Sequence, residues 1–515
     1  LRRPWEVSSS KMVLDASSVD QVKHISPKWV PHNKGGGYRK WYGNQDFLVD
    51  WSGFANQYSS RYRKTFFVEC MSWSEITSSD LSFRYFPRGF TFNIKGMSAF
   101  ANSRKTLAEL LCIANSKVIS YISGAINPTL SFGVNNFRAL PALAAESDIL
   151  DRLGDSLVSL SKNDWDAYER SWNFQRCPLL EVFEENMPLK VSESYSAWIA
   201  RSRAAIAETK ELEAENNRLF IDAYGLEGEI NTEVPNDQIT LTVNPAYRYG
   251  GNLSETEQWD RFRRDSIAEF LSYASGCMMG RYSLDQPGLI LADSRDSQAE
   301  QLTAYETKVS RPLSEVQFKP DADGIIPVLD GEWFEDDIVA RTREFLAVTF
   351  PESSVGENLR FIEEALGKDI RKYFCSEFYK DHLQTYKKRP IYWLVQSPKK
   401  GFACLVYLHR YTKDTLNQVL NNYFRPYLQK LEARLAQLGL DQLNDDLPAR
   451  ERTAARKEAD KITKVLKECQ AWEQDSLLPL AQQRIELDLD DGVKVNYLKL
   501  QDVLAPIPGL AAKED

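Results

Sequence analysis

Apolar residues recur at helical spacing in two long stretches toward the end of this 515-residue chain. Leu416, Leu420, Tyr423, Tyr427, Leu431, Leu435 and Leu438 fall on one face of a helix predicted to start at Asp414. Pro426 lies inside it and, lacking an N–H, predicts a kink. Ala455, Ala459, Ile462, Leu466 and Cys469 line a second helix that begins after Pro448. The short link at 439–447 makes the pair an αα-hairpin. Upstream, a polar-rich helical pattern covers 195–223 and stops at Tyr224-Gly225, where glycine tolerates a left-handed C-terminal turn.

The first 140 residues have a different rhythm. Runs at 47–51, 63–70 and 83–94 are short, aromatic and β-branched, separated by Gly, Ser and Asn, which predicts strands. One helix is expected among them, capped by Thr106, with Leu107, Leu110, Leu111, Ala114, Val118 and Tyr121 on its apolar stripe and its end at Gly124. Strand-like segments follow at 129–134 and again at 239–243. These patterns predict an α+β fold in four parts. They are a β-rich domain over 1–190, a helical spacer with an acidic mixed region over 191–330, a basic mixed α/β region over 331–412, and the αα-hairpin with its tail over 413–515.

Charge sharpens this division. The net charge of −9 is uneven: 1–140 carry 18 Lys and Arg against 9 Asp and Glu, 141–370 carry 22 against 44, and 371–515 carry 24 against 20. A basic, aromatic-rich first segment in an acidic chain points to a polyanion partner, and the acidic middle reads as a solvated or partner-facing body. No run of eighteen apolar residues and no charged-then-apolar leader is present, so neither a membrane span nor an export signal is expected. Seven cysteines, scattered and never in a CxxC, predict a reducing, cytoplasmic setting without disulfides or a zinc ribbon. With four histidines, no metal site is expected. Leu1 is not an initiator, and Leu-Arg-Arg-Pro-Trp reads as the interior of a longer chain.

Two clusters combine cations with rings. The segment 33–43 joins three glycines to Lys34, Arg39 and Lys40 and to Tyr38, Trp41 and Tyr42. Glycine lets a backbone approach a ligand, cations attract phosphate and flat rings stack on bases, so this composition suits nucleic acid. A tight turn carrying surface aromatics is the plain alternative. Arg61, Arg63, Lys64, Arg84, Arg88 and Lys95 extend the basic set. The second cluster, 371–413, has ten Lys and Arg against two acids. It includes Arg371, Lys372, Lys380, Lys387, Lys388, Arg389, Lys399 and Lys400, interspersed with Tyr373, Tyr379, Tyr386, Tyr392 and Trp393. A charge run is usually solvated surface, but two such clusters in separate domains favour duplex DNA.

Catalytic motifs are incomplete. Asn244-Pro-Ala-Tyr247 resembles the Asn-Pro-Pro-Tyr loop of adenine amino-methyltransferases, but the third position is alanine and no strand-then-glycine loop exists to hold S-adenosylmethionine. It reads as a turn after a strand. Glu306-Thr-Lys308 downstream of Asp293 and Asp296 is a chance match to a metal nuclease. No catalytic and no metal-ligating residue is assigned.

Longer ordered blocks resemble one family. They are Lys34-Gly-Gly-Gly-Tyr-Arg-Lys-Trp-Tyr-Gly-Asn44, Gly331-Glu-Trp-Phe-Glu-Asp-Asp-Ile-Val339, Lys368-Asp-Ile-Arg-Lys-Tyr-Phe374, Lys387-Lys-Arg-Pro-Ile-Tyr-Trp-Leu394, Tyr407-Leu-His-Arg-Tyr-Thr412 and Leu489-Asp-Asp-Gly-Val-Lys-Val-Asn-Tyr497. From about residue 30 to 500 they resemble the C-terminal half, with the target-recognition region, of the PglX/BrxX adenine-specific DNA methyltransferases of BREX phage-defence systems. The resemblance implies that S-adenosylmethionine and the Asn-Pro-Pro-Tyr loop belong to an upstream half, and that this chain alone holds no cofactor and is inactive. Its work would be to read DNA through 1–190 and clamp the duplex through 371–413, for adenine-N6 methylation of host DNA. The partners implied are double-stranded DNA, the catalytic half, and other BREX proteins or a DNA-mimicking inhibitor. Two other readings stay open: a stand-alone DNA-binding specificity subunit, and a protein-interaction scaffold whose basic patches meet an acidic partner.

Overall fold

Short aromatic strands bury their rings by pairing into small sheets and covering them with helices. The computed structural model describes residues 1–25, 27–54, 64–76, 80–127, 129–141, 147–181, 189–294 and 297–510. Its architecture is α+β: mainly helical, with three small sheets among the described residues. The chain divides into two compact units. One comprises Leu1–Pro4, Ser9–Glu185 and Glu193–Asp265; the other comprises Trp5–Ser8, Asn186–Ser192 and Ser266–Asp515.

The first unit holds two sheets. In one, Trp29–Asn33 lies between Leu48–Asp50, antiparallel, and Thr91–Phe92, parallel. In the other the order is Trp41–Tyr42, Phe83–Phe86, Cys70–Ser74 and Gly96–Ala99, with the first pair parallel and the rest antiparallel. The glycine-rich segment is therefore the crossover from one sheet to the other. The turn at 93–95 is a second crossover, leaving Thr91–Phe92 and entering Gly96–Ala99. Trp73 stacks on Phe137 and packs against Phe83, so this core is built of rings.

Several expected elements differ. The single helix at 106–124 is two helices, Arg104–Ala114 and Lys117–Ile126. Ser103 caps the first by accepting from Thr106 N, and Ser116 caps the second by accepting from Ile119 N; a serine at the break restarts the helix at no loss of donors. Tyr121 is correspondingly exposed. Of the run 63–70, Arg63 lies outside the described residues, and in the rest the strand starts only at Cys70, after Phe67 at φ +67°. At 129–134 Ser131 forms a single bridge to Ile76 before the helix Val134–Arg138. The alternation at 239–243 is buried but is not a strand. Asp164 accepts from the backbone N–H groups of Thr242 (2.7 Å) and Val243 (2.9 Å), so a carboxylate takes the place of a neighbouring strand. The helix Val191–Tyr224 covers the expected spacer, and Gly225 turns it off at φ +65°.

In the second unit Ala403–Tyr407 pairs antiparallel with Ile325–Pro327 and Tyr392–Gln396. The hairpin helices are present. Arg425–Leu443 and Ala449–Trp472 pack together, burying Ala455, Ala459, Ile462, Leu466 and Cys469, with Arg434 and Glu458 paired at 2.8 Å. Pro426 falls in the first turn of its helix, and the wider π-helical turn Val419–Phe424 precedes it. The helix thus absorbs the missing N–H by a change of hydrogen-bond register. No helix among the described residues is long and apolar enough to cross a membrane.

Candidate nucleic-acid interface

The crossover at 33–43 is organised from its first residue. Asn33 Nδ2 donates to Ser72 Oγ (2.5 Å), and its Oδ1 accepts from Gly35 N (3.0 Å). Gly35 lies at φ +78°, and a Cβ there would sit 2.7 Å from the Lys95 carbonyl oxygen, so the position demands glycine. Ser74 Oγ accepts from Gly36 N (2.9 Å) and donates to Gly36 O (2.8 Å). Arg84 is fully buried and donates to the carbonyls of Gly37 and Arg39, both at 3.2 Å. Burial pulls its pKa down to about 10.

Two of the three cations of this crossover, Arg39 and Lys40, are spent inside the unit. Arg39, with its side chain 5% exposed, pairs with Asp164 at 2.5 Å and donates to Thr242 Oγ1 and Tyr42 O, both at 2.9 Å. Lys40 Nζ and Trp41 Nε1 share Glu213, each at 2.8 Å. Burial pushes the Lys40 pKa down, but Glu213 and Tyr38 more than offset this and hold it above its ordinary value. Trp41 and Tyr42 are core residues, each 1% exposed. This corrects the reading of the segment as a basic surface with stacking rings: Arg39, Lys40, Trp41 and Arg84 hold the crossover to the helices Ser147–Asp166 and Val191–Tyr224 and to the segment before Pro245–Tyr249. Asn244 belongs to the same scaffold. It caps Pro245–Tyr249, and its Nδ2 donates to Asn236 O (2.6 Å) and Ile239 O (2.8 Å). Tyr247 Oη donates to Tyr38 O.

What remains at the surface is narrower. Lys34, Lys64, Arg88 and Lys95 are exposed, as are the backbones of Gly36 and Gly37. Lys34 Nζ lies 5.1 Å from the Phe47 ring centroid, and Lys95 pairs with Glu75 at 2.7 Å. Arg61 and Arg63 lie outside the described residues.

The second cluster is likewise divided. Arg371 is drawn inward, donating to Gly331 O (2.8 Å) and Asp337 Oδ2 (2.6 Å). Tyr373, Tyr386, Tyr392 and Trp393 are buried, so they are core rather than stacking surface. Arg389 lies 3.7 Å from Glu6. Lys372, Lys380, Lys387, Lys388, Lys399 and Lys400 are exposed. Lys387 and Lys388 precede the strand Tyr392–Gln396, whereas Lys399 and Lys400 form the turn after it. A five-residue strand separates the two pairs by roughly 15 Å, so the cluster forms separate patches. Among the described residues no group of His, Cys, Asp and Glu is placed to hold a metal.

The residues missed at the sequence level are Asp164 and Glu213. Each is an acid inside a long amphipathic helix, where a solvated role is the ordinary expectation. Their burial is visible only when the crossover is folded against them.

No family model matches the chain. Two curated proteins do, over nearly its whole length. The chain is similar to adenine-specific methyltransferases. One, named adenine-specific methyltransferase BrxX, from Escherichia coli O9:H4 (strain HS), is 35% identical over 99% of the chain. The other, named adenine-specific methyltransferase PglX, from Lacticaseibacillus casei (strain Zhang), is 34% identical over 98%. The chain spans 42% of the length of each.

Proposed function

We propose that this chain is the DNA-reading part of a site-specific adenine-N6 methyltransferase of the BREX type, and that the methyl donor is held by protein beyond these 515 residues. The observation that carries the reading is the similarity of nearly the entire chain to two proteins named adenine-specific methyltransferases, of which it spans less than half. The exposed cations support it. Lys34, Lys64, Arg88 and Lys95 in the first unit, and Lys372, Lys380, Lys387, Lys388, Lys399 and Lys400 in the second, are exposed at the surface, where phosphate oxygens can approach. Contacts of this type fix register on the duplex, while sequence is read at base edges. An adenine inside a duplex cannot meet a methyl donor and must rotate out, so a rigid reading surface is what such chemistry requires.

The test is a mobility-shift titration of the whole chain on duplex DNA across a salt series, run beside a methyl-transfer assay with S-adenosylmethionine. Binding that weakens steeply with salt and no methyl transfer by the chain alone are expected. Salt-insensitive or undetectable binding overturns the DNA reading. Methyl transfer by the isolated chain overturns the division of labour.

A further inference from the structure

The two crossovers of the first unit run side by side. In the second, Gly96 N donates to Asn93 O (3.1 Å) and Lys95 N to Asn93 Oδ1 (2.9 Å), which pins a two-residue tip, Ile94-Lys95, at its base. Ile94 is 70% exposed at this tip. The pairing of Cys70–Ser74 with Gly96–Ala99 ends with Ser74 opposite Gly96. One step further, Glu75 N donates to Lys95 O (3.4 Å), and the Glu75 and Lys95 side chains pair. Ile76, which follows and bridges Ser131, is 59% exposed. Lys34 stands on the neighbouring crossover, where Gly35 lies against the Lys95 carbonyl.

A branched apolar side chain at the tip of a pinned turn gains nothing from water, and a polar residue would make the same turn. We propose that Ile94 is a wedge that enters duplex DNA between adjacent base pairs, with Lys34 and Lys95 holding phosphates beside it. The proposal rests on the reading of this chain as a DNA-recognition part. Three features favour DNA over a protein partner. Lys95 stands on the tip and Lys34 on the adjoining crossover, and the Lys95–Glu75 pair is exposed enough to open toward a phosphate. The exposed Gly37 presents backbone without a side chain, and nothing lies within 4 Å of the position a Cβ would take there, so a sugar-phosphate strand can come close, whereas the Asn44 side chain covers that face of Gly36. The tip is narrow, as apolar wedges that part a base step are, whereas a stable protein interface buries a broad apolar area. Parting the stack beside an adenine lowers the cost of rotating that base outward.

The experiment uses the whole chain and a duplex enriched from a randomised library by the wild-type chain, carrying a donor and an acceptor fluorophore at its two ends. Wild type should bend the duplex and change energy transfer. Ile94→Ala should abolish that change and weaken binding by about tenfold, with the salt slope unaltered. Ile94→Leu should keep the bend, and both variants should melt as wild type does. A wild-type complex that leaves the duplex straight, or an Ile94→Ala complex that bends it as wild type does, overturns the wedge while DNA recognition stands; the tip would then be a protein-docking feature. Failure of wild type to enrich any duplex overturns the recognition reading, and the wedge falls with it.

Discussion

Lys34 and Arg39 are five residues apart and look equivalent in sequence, yet their removal should have opposite consequences. Arg39→Ala deletes the partner of Asp164 in a pair whose side chains are 5% and 4% exposed. Breaking a buried ion pair on one side costs about 3–5 kcal/mol. Asp164 keeps two backbone donors, Thr242 N and Val243 N, which holds the cost of its orphaned charge toward the lower end. The lost bond to Tyr42 O adds about 1 kcal/mol. A total near 4 kcal/mol is a large part of a domain's stability, and urea denaturation followed by tryptophan fluorescence should show the midpoint fall accordingly. Lys34→Ala removes an exposed ammonium whose described contact is the Phe47 ring, so stability should change by less than about 0.5 kcal/mol. Its effect should appear instead in DNA binding, with the slope of log affinity against log salt reduced by about 1. The double variant Arg39→Ala, Asp164→Asn should recover part of the loss, because the buried charge is gone. An Arg39→Ala protein as stable as wild type, with a reduced salt slope, would refute the assignment of Arg39 to the scaffold.

Other outcomes follow from the same geometry. Lys387 and Lys388 both occupy left-handed backbone, at φ +53° and +58°. Lys388→Gly should therefore raise the urea midpoint by an amount worth up to about 1 kcal/mol, while Lys388→Ala should not; equal effects would exclude backbone strain. Gly35→Ala meets a backbone carbonyl and a positive φ and should cost about 2 kcal/mol or more, whereas Gly37→Ala enters open space and should be near neutral by the same assay. His32, His382 and His409 are buried, and burial lowers their pKa values from 6.5 to about 4, about 3 and about 4. Each is neutral when folded and protonated when unfolded below pH 6.5, so the unfolded state binds more protons and stability falls as pH drops toward 4. At pH 5 each should cost about 2 kcal/mol, and denaturation midpoints that stay level between pH 7 and 5 would contradict this. Burial and the neighbouring Asp321 raise the Asp323 pKa to about 8, so its sign is opposite and stability is lost as pH rises from 4 to 8. Asp323→Asn should melt above wild type at pH 8 and with it at pH 4.

How far the sequence carried depended on the range of the interaction involved. The hairpin was legible because its determinants are local: the stripe Ala455, Ala459, Ile462, Leu466 and Cys469 is buried as its spacing predicts. The helix 191–224 and its glycine stop were legible for the same reason. The strand expected at 239–243 failed because its alternation reports burial of Ile239, Leu241 and Val243, and burial is satisfied equally by a loop whose donors go to a carboxylate. Local charge composition misled most at 33–43, since it counts cations without knowing their partners. Arg39 meets an acid 125 positions away and Lys40 one 173 positions away.

Under the proposed DNA-reading role, the buried cations would still contribute, through rigidity. A glycine-rich crossover left to itself has a large conformational entropy, and ordering it at the moment of binding would cost about 1–2 kcal/mol per residue. Here that order is already built: Asn33, Ser74 and Arg84 hold the glycine backbone, and Asp164 and Glu213 hold Arg39 and Lys40. The groups left facing outward, Lys34, the Gly36-Gly37 backbone and the Ile94-Lys95 tip, are therefore presented from a fixed base. Glu213→Gln separates this role from charge alone. It keeps a hydrogen-bond acceptor for Trp41 Nε1 but leaves the Lys40 ammonium without a counter-charge in a site 11% exposed. Lys40 pKa should fall, because burial then acts unopposed by its main partner. The crossover should loosen, which hydrogen exchange at the Gly35 and Gly36 amides would report as faster exchange. If DNA binding depends on a preset surface, affinity should drop with the salt slope preserved, since no exposed cation has been removed. A lower slope at unchanged exchange rates would instead place Lys40 in direct contact with phosphate and sink the scaffold interpretation.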